Sequence, residues 1–190
     1  MQNRTPRIPQ QPAPNRAEFD ARLTVELAAV VTGARRRALR DGDRQIDTAH
    51  LLHSLIESDP EVRAAFEGGP QLAKVLGYLV QRSIGYGLRW QGAVEDSGAV
   101  PVVGDVDSVV RDTGAEGWSP AAASAMADAR ERAELRGDVR AGGLDLLAAL
   151  ACDHECRAVE VLERAGIDAA QLAARILGAP PGQGGRGTGD

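Results

Sequence analysis

Apolar residues along the first half of the chain fall into a helical stripe. Leu23, Leu27, Val30, Val31, Ala34 and Ala38 recur at i, i+4, i+7, i+8, i+11 and i+15, which is one face of a long helix. Moving 95 positions along the chain gives Trp118, Ala122, Ala125, Met126, Ala129 and Ala133, and the same stripe returns. Thr24 and Ser119 directly follow the first residue of each stripe. A hydroxyl there accepts a backbone N–H of the first turn, a cap worth about 1 kcal/mol. Gly42 and Gly137 follow as matched stops. A second helix repeats as well, with Leu51, Leu52 and Leu55 against Leu146, Leu147 and Leu150. Beyond it the register drifts by one, Val62, Ala65 and Phe66 matching Ala158, Val161 and Leu162. Leu72 and Leu76 then match Leu172 and Ile176 at a larger offset. Drift confined to the connections is what loop insertions do to a true repeat. The pattern predicts an all-α chain built from two tandem copies of a four-helix unit.

The ends and the middle have a different texture. Residues 1–18 predict a flexible arm, because Pro6, Pro9, Pro12 and Pro14 block a helix. Residues 19–89 form the first repeat. Residues 90–117 form a linker rich in Gly, Val and Asp, with a short extended piece expected around Val100–Val106. Residues 118–177 form the second repeat, and the Gly/Pro-rich stretch 178–190 is expected to be a disordered tail.

Composition narrows the function. Hydrophobic residues make up 43% of the 190 and aromatics only 3%, which favours helices packed through small side chains over a β-sandwich. The net charge of −5 argues against nucleic acid, whose binders need clustered cations. No apolar stretch nears the roughly 20 residues that span a bilayer, so no membrane role is expected. Met1 to Pro14 lacks the apolar core of a secretory signal. With two cysteines and no disulfide framework, this points to a reducing cytoplasm. Lys74 is the only lysine, and it follows Ala73 and precedes Val75. A phosphate-binding G-x-x-x-x-G-K-[ST] loop is therefore absent, and ATP-driven work is not expected.

The ordered motifs carry a resemblance. Leu23-Thr24, the small residues Ala34 and Ala38, and Ile46-Asp47-Thr48-Ala49-His50-Leu51-Leu52 resemble the double repeat at the amino terminus of Clp-type ATPases. That family reads Phe-Thr, two alanine positions, then Ile-Gly-Thr-Glu-His-x-Leu-Leu at these separations. Trp118-Ser119-Pro120 resembles its Phe-Thr-Pro, and the stretch from Ala158 to Asp168 resembles its Ala-x-x-Val-Leu-x-x-x-Gly-Ile-Asp. The likeness covers both helical blocks. It implies a pseudo-twofold all-α domain of two Clp N-terminal repeats, standing without the ATPase module. It further implies a chaperone-related module that docks adaptors and substrates for a ClpA- or ClpC-type unfoldase, with no cofactor. Some members of the family recognise phosphorylated arginine through the Thr or Ser that starts each repeat and the Glu before the His. Here Thr24 and Ser119 keep the hydroxyls, but Ala49 and Leu144 replace both carboxylates and Asp145 replaces the second His. A guanidinium needs an anionic acceptor, so phosphoarginine binding is expected to be weak or absent.

Other clusters hold residues capable of chemistry. His50 and His53 lie three apart on one helix, a metal pair by spacing. The stronger expectation makes His50 a structural residue bonded to nearby backbone and His53 a surface side chain. Cys152, His154 and Cys156 form C-x-H-x-C in an inter-helix loop. This is not a zinc spacing, and no oxyanion donor or orienting acid is placed for a nucleophile. Arg35, Arg36, Arg37, Arg40 and Arg44 are expected on a solvated helix face, the alternative being a rim for an acidic partner. Leu23 and Trp118 either close the bundle or stand partly exposed as hot spots in a peptide groove.

The expected function is a non-enzymatic peptide- or protein-binding module, an adaptor or competitor in Clp-dependent proteolysis. Its partners would be a Clp ATPase, its substrates or its adaptors. The alternative is a decoy that sequesters a peptide-like antibiotic aimed at that ATPase's N-domain. The expected partner-binding residues are Leu23, Thr24, Leu27, Trp118, Ser119 and Ala122, with no catalytic or metal site.

Overall fold

A computed structural model describes residues 16–83, Glu95 and residues 117–178. Nine helices are found among them: α1 Arg16–Ala21, α2 Val25–Asp41, α3 Thr48–Ser58, α4 Pro60–Ala64, α5 Gly69–Ser83, α6 Pro120–Leu135, α7 Gly143–Cys152, α8 Arg157–Arg164 and α9 Ala169–Ile176. Helices α2–α5 make one four-helix unit and α6–α9 the other. The arm 1–15, the piece Val100–Val106, the end of the first block at 84–89 and the tail 179–190 lie outside the described residues. One boundary shifts: the chain is already helical at Arg16, inside the stretch expected to be a flexible arm. The helix holds because Phe19 is buried and meets the Trp118 ring edge-on, with centroids 6.0 Å apart.

The matched caps form as the pattern requires. Thr24 Oγ1 accepts from Leu27 N at 3.2 Å, and Ser119 Oγ accepts from Ala122 N at 3.1 Å. Gly42 and Gly137 have φ of 75° and 82°, the left-handed geometry in which glycine ends a helix without strain. The stripes Leu27–Ala38 and Ala122–Ala133 are buried. Each long helix packs on the next, α2 on α3 and α6 on α7. Nearly every residue of α3 and α7 is buried, as befits helices enclosed on all sides. These two also touch each other and form the centre of the molecule.

The repeats are joined by two reciprocal backbone pairings. Leu23 bridges Ala141 and Ile46 bridges Trp118, both in parallel sense. Thr24 N donates to the Ala141 carbonyl at 2.9 Å and Ala141 N to the Arg22 carbonyl at 3.0 Å. Ile46 N donates to Gly117 and Ser119 N to Ile46, each at 2.8 Å. Positions equivalent under the repeat exchange roles in the two pairings, which is a pseudo-twofold relation written in hydrogen bonds. Among the described residues no helix is long and apolar enough to cross a membrane.

Leu52 and Leu147 are matched positions with no exposed surface. Replacing either by Ala should cost about 2–5 kcal/mol in denaturant unfolding. A near-zero cost at one of them would break the equivalence of the two central helices.

Candidate functional site

The two hydroxyls that open the repeats have different surroundings. Thr24 is half-buried and lines a groove of about 850 Å³. Its apolar lining comes from Leu135, Val139, Leu144, Ile176 and Leu177, while Arg132, Arg136 and Arg140 supply cations. Leu135 and Val139 are 81% and 86% exposed, unusual for large apolar side chains. Leu144 lies in the wall at the position where the family pattern has a carboxylate. Asp145 lines the groove too, but it is committed to structure. Its Oδ2 accepts from Gly142 N at 2.9 Å and meets Arg136 Nη2 at 3.0 Å. In the first repeat the matched residue is His50, whose Nδ1 accepts from Asp47 N at 3.1 Å. The His-to-Asp exchange therefore keeps the acceptor that caps the helix.

Beside His50 lies a buried charge network. Asp47 Oδ1 accepts from His50 N at 2.9 Å, completing a reciprocal cap. Its Oδ2 pairs with Arg157 Nη1 at 2.7 Å and with Arg82, and Arg82 reaches Asp43 at 3.2 Å. Burial alone would raise the Asp47 carboxyl. The His50 hydrogen bonds, together with the Arg82 charge, outweigh it and hold Asp47 well below the usual carboxylate range. Asp43, Asp47 and His50 bring metal-ligating atoms within 4.8 Å of one another. Three features argue for ion pairing there. His50 Nδ1 is taken by the backbone, Nε2 faces Asp43 Oδ2 at 3.2 Å, and Arg82 bridges both carboxylates. The guanidinium is the cation of this cluster.

Ser119, the counterpart of Thr24, is sealed. Its hydroxyl donates to Glu95 Oε2 at 2.9 Å, and Thr48 N donates to the same oxygen at 2.8 Å. Arg157 N donates to Glu95 Oε1 at 2.7 Å, and the Thr48 hydroxyl donates to that same oxygen. Glu95 is only 5% exposed. It therefore joins α3 of the first repeat to α6 and α8 of the second. On the other side Asp59 plays a related part as N-cap of α4, its Oδ1 accepting from Glu61 N and Val62 N. Its carboxylate lies against Gly143, where a Cβ would overlap it.

Several expectations are corrected here. Leu23 and Trp118 are each 3% exposed, so neither stands partly exposed in a groove. Their backbones are held by the cross-repeat pairings and their side chains turn into the core. Leu27 and Ala122 are wholly buried beneath them. Of the six expected binding residues, Thr24 alone lines the groove. His53 is not a surface residue. It is 5% exposed, with Nε2 3.2 Å from Glu57, and burial first, then Arg37, lowers its pKa to about 4. The basic run is only partly solvated. Arg36 and Arg40 are exposed, whereas Arg37 is largely buried, bonds Ser54 at 3.3 Å and pairs with Glu57. In the C-x-H-x-C segment Cys152 and His154 are exposed, while Cys156 is buried and donates to the Leu150 carbonyl at 3.4 Å. Burial pushes the Cys156 thiol up to about 12, far from a ready thiolate. Glu95 was not foreseen. It sits in a Gly/Val-rich stretch, 47 residues from Thr48, with no periodic pattern to place it.

No protein-family model matches the chain, and no curated protein does. Among solved structures, it is similar to the N-terminal domain of the caseinolytic protease associated chaperone ClpD from Arabidopsis thaliana. The TM-score is 0.56 at 19% identity, covering 84% of this chain and 94% of that one. The chain thus has the all-α fold of a Clp N-terminal domain.

Two measurements test the buried groups. Asp47→Ala removes the anion that Arg82 and Arg157 share, and should cost on the order of 3–5 kcal/mol. Because the folded Asp47 titrates below its ordinary value of 3.8, its contribution is complete above that pH. It should be lost as pH falls further, and Asp47→Ala should flatten that acid limb of the stability profile. His53 is held neutral in the fold. Its contribution is complete above pH 6.5 and should fall as pH drops from 6.5 toward 4. A His53→Gln chain with an unchanged slope in that window would contradict the assignment.

Proposed function

We propose that this chain is a non-enzymatic peptide- or protein-binding module of the cytoplasm, acting as an adaptor or competitor in Clp-dependent proteolysis. The observation that carries the reading is the open groove at Thr24, with exposed Leu135 and Val139 on its rim and Leu144 in its wall. Monomeric proteins rarely present such side chains around a concavity unless something covers them. The fold shared with a chaperone's N-terminal domain supports the same direction. Two of the groove's acids, Asp145 and Asp138, are engaged by Arg136, and its lining brings together no acid, base and nucleophile. Of the residues expected to bind, Thr24 meets the ligand directly, while Leu23, Leu27, Trp118, Ser119 and Ala122 are buried.

The preferred ligand is an apolar peptide segment. Leu144 offers a guanidinium no anion, so free phosphoarginine should show no saturable heat in titration calorimetry. A dissociation constant on the order of micromolar, about −8 kcal/mol, would overturn this. Peptides selected from an array by the purified chain should lose about tenfold to a hundredfold in affinity with Leu135→Asp or Val139→Asp. That is the range expected when one buried apolar side chain, worth about 1.5–3 kcal/mol, is withdrawn. Unchanged binding by both variants would move the site elsewhere. Co-purification with a Clp ATPase or its substrates separates the adaptor role from sequestration of a peptide-like antibiotic, which requires no protein partner.

A further inference from the structure

Glu95 accepts four hydrogen bonds. Each carboxylate oxygen receives one backbone N–H and one hydroxyl: Thr48 N and the Ser119 hydroxyl on Oε2, Arg157 N and the Thr48 hydroxyl on Oε1. Both hydroxyls are oriented from behind. Ala158 N donates to Thr48 Oγ1 at 3.0 Å and Ala122 N donates to Ser119 Oγ at 3.1 Å, which directs their protons at Glu95. The donors come from the starts of α3, α6 and α8, none of them near Glu95 in sequence. Cys156, at the N-cap of α8, offers no side-chain bond to its own helix, so that helix takes its acceptor from Glu95. The cage presents donors and no acceptor, and the N-termini of α3 and α8, whose backbone N–H groups face Glu95, add positive potential. Opposing them, burial and the charge of Asp47 push the Glu95 carboxyl upward.

We propose that the junction of α3, α6 and α8 is a carboxylate-binding site in its own right, which this chain fills with the side chain of Glu95. The ligand class is a small planar monocarboxylate, since two donors wait in fixed positions for each of two oxygens. A free formate or acetate takes the place of the side chain once that side chain is cut back. This site is distinct from the Thr24 groove and does not depend on the peptide-binding reading.

The experiment uses the full chain and its Glu95→Ala variant, melted in sodium formate, sodium acetate or sodium chloride at equal ionic strength. The variant should melt several degrees below the parent in chloride. Formate should recover most of that loss along a saturating curve, and the parent should melt alike in all three salts. Adding Ser119→Ala to Glu95→Ala should weaken the response to formate. The proposal is overturned if formate and chloride act alike on Glu95→Ala, or if the parent responds as strongly as the variant. Should Glu95→Ala not fold, Glu95→Gln keeps the side-chain volume and allows a double-mutant cycle with Ser119→Ala. Losses in melting temperature well short of additive support the cage, and strictly additive losses overturn it.

Discussion

Asp47 is a buried carboxylate that three helices use at once. It caps α3 through His50 N, holds Arg82 near the end of α5, and reaches across to Arg157 at the start of α8, 110 residues away. A desolvated anion is tolerable only with partners in good geometry, and those partners are equally dependent on it. The rest of the first repeat hangs on this point. The turn before α3 is fixed by the reciprocal cap, the C-terminal end of α5 is fastened to the same turn, and α8 is brought alongside α3. The neighbouring Glu95 then closes the same corner with the hydroxyls of Thr48 and Ser119. Two acids with different environments thus divide one junction, Asp47 answering to cations and Glu95 to neutral donors.

That corner makes the two halves structurally unequal. Thr24 and Ser119 start as equivalents, each capping its helix with the same bond. On the Ser119 side a carboxylate from the chain itself consumes the remaining hydroxyl donor. On the Thr24 side Asp59 is engaged with α4 and Gly143, and the hydroxyl remains at the base of a groove walled by leucines. Duplication supplied two surfaces, and the structure leaves one of them open.

Most of the fold was legible because it is periodic. The stripes, the hydroxyl caps and the Gly42 and Gly137 stops are local features, and each appeared where the spacing put it. The site was much less legible. Trp118 and Leu23 have hot-spot chemistry, but only tertiary pairing decides which way a residue ahead of a helix turns, and Ile46 and Ala141 turn both inward. His53 looked solvated because its own helix says nothing about Arg37 and Glu57 beside it. Leu135 and Val139 lie beyond the buried stripe of α6, and the prominence of that rim depends on α9 ending opposite it. Glu95 is the clearest case, since its meaning lies wholly in donors distant along the chain.

The reciprocal pairings set a limit on architecture. In open solenoids each unit offers its successor the same face that it presented to its predecessor, so copies can be appended indefinitely. Here the entry of each unit is spent on the turn that leads into the second helix of the other, Leu23 on Ala141 and Trp118 on Ile46. The interface is isologous and closes on itself. A third copy fused to this chain would find both of these pairings already made among the described residues. Growth of the protein by further duplication would have to proceed in whole pairs, strung as separate bodies.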